Sequence, residues 1–232
     1  MSLLDEGRAT NPAKHYMNVK SGSLVYYDKE SGENVQVPTP LKFIVLDQLA
    51  TIKGWSDQDE SGYWSNEVKS IGKDVLNVRT KSGLKETGLW RDIKSSPSIA
   101  GAKYHASIYV AASGRDGLQI ENIALTGAAL NAWIEFTKKN DVRKVSVTLS
   151  EWADAKKGAV KYKVPVFVAE PMDEAEKAEA IELAKELREY HNQYFSYTPD
   201  EDGHAASVGA REKDVVAEFD ENEQISLDDI PF

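Results

Sequence analysis

Residues 118–149 read LQIENIALTGAALNAWIEFTKKNDVRKVSVTL, and their spacing sets out the order of elements that decides the fold. Leu118 to Leu125 reads as a strand. Thr126-Gly127 opens a helical pattern, with Leu130, Trp133, Ile134 and Thr137 at i, i+3, i+4 and i+7, and Asn140-Asp141 stops it. A strand candidate follows at Val142 to Leu149. Another lies at Val160 to Ala169, across a connection rich in Lys and Ala.

Upstream, short β-type runs occupy Leu24 to Tyr27, Leu41 to Ile52, Tyr63-Trp64, Val75 to Thr80, Leu84 to Trp90 and Tyr104 to Ala111. Gly, Ser, Asp or Pro punctuates them, and Ser82-Gly83 is placed to close a hairpin. Many short strands with one helix before the last two fit a mainly β fold: a five-stranded OB-type barrel with extra strands. A β-sandwich or another small barrel fits the strand count nearly as well. Residues 1–20 are polar and poorly patterned and read as a loose N-terminal arm, leaving 21–170 as the β-rich body. Phe43, Trp133, Phe136 and Phe167 lie in apolar patterns and are assigned to the core, while Trp152 is undecided.

Pro171 begins a different regime. Through residue 197 the chain is dense in Glu, Ala, Leu and Lys, with Ala180, Leu183, Ala184 and Leu187 at helical spacing. Pro and acids at its start suit a helix N-terminus, so a C-terminal helix is expected from Asp173 to Phe195. Residues 198–232 hold too little apolar material to offset the entropy of ordering them and are expected to be disordered.

The net charge of −10 conceals an asymmetry. From Pro171 onward 18 acids face 5 bases, whereas residues 1–170 hold 20 acids and 23 bases. A mildly basic body joined to a strongly acidic end suggests nucleic-acid binding by one part and a separate task for the other. The absence of cysteine excludes disulfides and thiolate chemistry and suits a reducing cytoplasm. Met1 to Thr10 lacks the apolar core of a signal peptide, and no stretch is apolar for long enough to span a bilayer, so no membrane association is expected. Four histidines (15, 105, 191 and 204) show no metal-ligand spacing, and no phosphate-binding loop or nucleophile motif occurs. The expectation is a binding protein without cofactor or metal, not an enzyme.

The last residues, Asp228-Asp229-Ile230-Pro231-Phe232, carry the most specific signal. An acidic linker ending in these residues resembles the C-terminal tip of bacterial single-stranded DNA-binding proteins. The resemblance covers the tail alone and implies a phage-encoded or otherwise divergent member of that family. It implies that the OB-like body at 21–170 coats single-stranded DNA during replication, recombination or repair. It also implies that the tip recruits polymerase, helicase, primase or nuclease partners. The chemistry of the tip agrees with capture by an apolar pocket with a basic mouth. Phe232 supplies a ring, Pro231 limits the entropy lost on docking, and Asp228 and Asp229 supply charge for steering. The alternative is a decoy that captures replication enzymes through the tip without binding DNA.

Sequence-tolerant binding of single strands needs aromatic faces for bases and cations for phosphates. The candidates are the aromatics with polar or charged neighbours, Trp55, Tyr63, Trp64, Trp90, Tyr104 and Tyr162, with the cations Lys53, Lys69, Lys73, Arg79, Lys81, Arg91, Lys103 and Lys161. Trp55, Tyr63, Trp64 and Trp90 have the most polar surroundings. Lys85, Lys94, Arg115, Lys156 and Lys157 are further basic neighbours, and Asp57, Asp59 and Glu60 read as a surface loop.

Overall fold

A computed structural model describes residues 10–114 and 117–196. The expected acidic tail, its tip, Arg115 and most of the expected N-terminal arm lie outside the described residues. In chain order the strands are β1 (Tyr16–Lys20), β2 (Ser23–Asp28), β3 (Glu33–Val37), β4 (Leu41–Ser56), β5 (Ser61–Trp64), β6 (Leu76–Thr80) and β7 (Gly83–Gly88). A short helix α1 (Trp90–Ile93) and a 3-10 turn at Pro97–Ile99 precede β8 (Ala102–Ser113) and β9 (Leu118–Leu125). Then come α2 (Gly127–Lys139), β10 (Val145–Lys157), β11 (Val160–Pro171) and α3 (Glu174–Ser196). No described helix is long and apolar enough to cross a membrane.

The fold is mainly β, as the sequence suggests, but the described residues form eleven strands and their pairings do not close. The chain packs as two compact units, and the body read as one span at 21–170 is divided between them. The described part of the first unit comprises residues 10–12, 49–104 and 181–196; that of the second comprises 13–48, 105–114 and 117–180. β4, β8 and α3 each contribute residues to both.

In the second unit the hydrogen-bonded order is β3-β2-β1-β9-β8-β4, continued by β10 and β11. β10 runs antiparallel to the start of β4, with Val147 opposite Phe43. β1 lies parallel to β9, Tyr16 opposite Asn122, and antiparallel to β2. Both edges of β9 are therefore filled, by β8 and β1, and β11 pairs with β10 alone. Residues 16–20, expected in a loose arm, are thus a strand. Its pairings explain the order: Met17 is buried, and the His15 amide and ring both reach the carboxylate of buried Glu121 on β9, at 2.9 Å each.

Leu24, Phe43, Ile108, Ile123, Leu149 and Phe167 converge with Trp133 of α2 on one interior space, so this sheet curls around a common core. Trp133 is 1% exposed, and its indole N–H donates to the Gln48 side chain at 3.0 Å, satisfying the one polar atom it buries. Phe43, Phe136 and Phe167 ring it at centroid distances of 6.3, 5.7 and 5.1 Å; Phe43 is buried as the sequence suggests, while Phe136 and Phe167 are half-buried. Trp152, left open by the sequence, lines the same space. The Lys- and Ala-rich stretch read as a connection is the outer half of β10. Its ladder with β11 runs to Lys157 opposite Val160, and Gly158 at φ +61° opens the turn.

In the first unit the order is β8-β4-β5-β6-β7. β6 shows the rule that builds it: Leu76, Val78 and Thr80 are buried, while Asn77 and Arg79 face the other way. The expected hairpin at Ser82-Gly83 is present, with Thr80 opposite Gly83. The end of α3 is anchored by Tyr194, whose hydroxyl accepts the Glu67 amide at 2.7 Å, and by Phe195 beneath the Lys69 ammonium at 4.6 Å.

Candidate nucleic-acid interface

In an antiparallel ladder, residues directly opposite one another share a face, with Cβ atoms roughly 5 Å apart. Lys53 of β4 stands opposite Trp64 of β5, and Trp64 stands opposite Arg79 of β6. These three residues, adjacent in no stretch of sequence, therefore form one row across three strands. Trp55, two residues beyond Lys53 and opposite Gly62, lies on the same face. All four are half-exposed. The opposite face is the core side: Ile52 and Val78 are fully buried and Tyr63 is 5% exposed.

The chemistry of this face is uniform. Neither Lys53 nor Arg79 makes an ion pair among the described residues. Asn77 and Thr87 extend the face by a hydrogen bond of 3.0 Å, and half-exposed Leu84 stands opposite Arg79. No carboxylate stands in the row. Glu86 is opposite Val78, on the core side, where the Ser96 and Ser98 hydroxyls donate to it and hold its carboxyl below the usual range. Two indole rings with two cations can stack bases and neutralise phosphates. The row holds no acid–base couple, and the described residues hold no cluster of metal ligands.

The turn beside this row is fixed by Asp59. It pairs with Lys85 at 2.7 Å and accepts from the Thr80 hydroxyl at 2.7 Å. The Lys85 and Thr80 bonds hold its carboxyl down to about 2. The loop of Asp57, Asp59 and Glu60 is thus a structural turn, and Lys85 serves it. On the other side, β4 and the start of β8 approach closely at two glycines. A Cβ on Gly54 would collide with the Gly101 carbonyl, and one on Gly101 would lie 2.7 Å from the Trp55 carbonyl oxygen.

The remaining candidates separate. Tyr63 and Trp90 are core residues, 5% and 6% exposed, and present no ring face. The Tyr63 hydroxyl donates to the Ser98 carbonyl at 3.1 Å, and Trp90 packs inward beside Ile93 in α1. Their polar neighbours suggested exposure because the residues that cover them are distant in sequence. Lys69 sits on Phe195, Lys81 donates to the Glu60 carbonyl at 3.2 Å, and Arg91 lies 3.5 Å from Asp92. Lys73 is exposed in the turn before β6. Lys103 and Tyr104 are half-exposed on β8, and burial raises the Tyr104 phenol. Lys161 and Tyr162 belong to the second unit, on the β10–β11 ribbon, opposite Lys156 and Ala155. The sequence candidates that the structure brings together are Lys53, Trp55, Trp64 and Arg79.

No protein-family model, no curated protein and no solved structure matches this chain.

Proposed function

We propose that this protein binds single-stranded DNA without sequence specificity and brings replication and repair enzymes to it through its acidic C-terminal tip. The observation that carries the DNA-binding half is the row Lys53–Trp64–Arg79 with Trp55 beside it. Indole faces accept any base, and cations meet the phosphates that every base carries, so such a surface binds without reading sequence. The tip residues Asp228 to Phe232 support the recruitment half, through their resemblance to bacterial single-stranded DNA-binding proteins.

The topology supports an OB-type reading of the fold. β4, β8 and β9 follow one another as neighbours, α2 comes next, and β10 returns antiparallel to β4 before turning into β11. On this reading β5, β6 and β7 are an insertion between the first two barrel strands. They carry Trp64 and Arg79, so the insertion enlarges the nucleic-acid face.

Titration of the intact protein with oligo-dT, followed by Trp fluorescence, tests the proposal. Strong quenching that weakens with added salt and does not depend on base composition is expected. Trp64→Ala should weaken binding by about 1–3 kcal/mol, the usual worth of one stacked base. An absence of quenching at low salt rejects DNA binding and leaves the tip as the functional element.

A further inference from the structure

The outer half of β10 and β11 forms a two-stranded ribbon whose two faces differ in make-up. On one face Trp152 stands opposite Pro165, and both line the interior space around Trp133, so this face turns toward the core of the second unit. Farther out on the same face, the stem of Lys163 lies so near Gly22 that a Cβ there would collide with it. Asp154, Lys156 and Lys161 share this face by alternation.

The other face points away from that core. Its rungs are Glu151 opposite Val166, Ala153 opposite Val164, Ala155 opposite Tyr162, and Lys157 opposite Val160. Val160 is 38% exposed, and the others are exposed or half-buried. An antiparallel ribbon with water on one side alternates apolar-in with polar-out, yet here three valines, a tyrosine and two alanines lie outward. One acid and one base leave this face neutral, so it exerts no pull on a phosphate backbone. Its chemistry suits a protein surface.

The order of the residues says which surface. The acid and the base stand at opposite ends of the stripe, both on β10, with the apolar rungs between them. A second copy can be laid face to face on the first, about a two-fold axis that crosses the strands between the two middle rungs. Its β10 then runs antiparallel over the first β10. Glu151 of each copy meets Lys157 of the other, and Ala153 meets Ala155. On β11, Val164 meets Tyr162 and Val166 meets Val160. Every contact occurs twice, which is what a two-fold interface requires. Facing sheets pack about 10 Å apart, a gap that Glu and Lys side chains reaching from both sides can span.

We propose that the outward face of the β10–β11 ribbon is a self-association surface, on which two copies of this chain pair antiparallel into a closed dimer. Eight residues a side fall short of the roughly 20–30 of a stable interface, so the dimer is weak and reversible. The contact uses up the face on both copies, so association stops at two. None of this rests on DNA binding, because no residue of the row on β4, β5 and β6 takes part.

Sedimentation equilibrium of the full-length protein without DNA, from micromolar to millimolar concentration, tests the proposal. A monomer–dimer equilibrium with no larger species is expected, and Val164→Glu in the middle of the stripe should abolish it. Glu151→Lys alone and Lys157→Glu alone each set like charges together at both ends, and each should dimerise on the order of tenfold more weakly. An equimolar mixture of these two variants brings opposite charges back together at both ends. It should associate as tightly as the parent, a recovery that also requires both variants to be folded. Monomer at every concentration, species larger than a dimer, dimers untouched by Val164→Glu, or a mixture no tighter than its components would each overturn the proposal.

Discussion

Trp64 is the residue on which most converges, since it stands between a lysine on one neighbouring strand and an arginine on the other. On the proposed function, Arg79→Ala should leave stacking in place but remove one phosphate contact. Its signature is a flatter dependence of binding on salt, with the log–log slope reduced by about 0.7. Asp59 supports the turn beside Trp55, and its role is visible through pH. Its carboxyl lies at about 2 in the fold against 3.8 ordinarily, so the charged form is the one the fold favours. The resulting stability is present above pH 3.8 and is lost as pH falls through about 2. Urea unfolding of Asp59→Asn beside the parent should show a gap at neutral pH that closes on acidification; a gap unchanged at pH 2 would count against this. Tyr194→Phe removes the hydroxyl that accepts from the Glu67 amide, and the same measurement should register a loss of about 1–3 kcal/mol.

Among the elements, β4 carries the greatest constraint, and Gly54 shows why. A methyl group there meets backbone at Gly101 and Ala102, which has no rotamer with which to yield. Gly54→Ala should therefore cost about 1–3 kcal/mol in thermal or urea unfolding, as overpacking does, and should disturb Trp55 next to it. The elements also show which features a sequence displays. β9 and α2 were legible to within a residue or two, because their apolar periodicity is local and serves a single core. β1 and β3 were not. β1 is ordered by β9, about a hundred residues away, and buries only Met17; β3 is a polar edge with Val37 alone buried. Residues 150–157 were read as a connection because a two-stranded ribbon there is held by its ladder rather than by apolar burial. The candidate site was legible only as a pool of residue types. Trp64 and Arg79 became neighbours through a register that no local pattern encodes, and Tyr63 beside them turned inward by the same alternation.

At the scale of the whole molecule, charge is segregated: 18 of the 38 acids lie from Pro171 onward, while the cationic row belongs to strands upstream. On the proposed function, binding of single strands should weaken with added salt and be insensitive to sequence. Each unit is assembled from several separate stretches, and β4, β8 and α3 thread through both. No single cut of the polypeptide releases either one whole. A fragment beginning at Leu49 would lose the first half of β4, and one ending at Tyr104 would forfeit most of β8 together with α3. Genetic dissection by truncation, the ordinary route to assigning tasks to parts of a protein, would here damage both parts at once. The division of labour has to be drawn by point substitution in the intact chain.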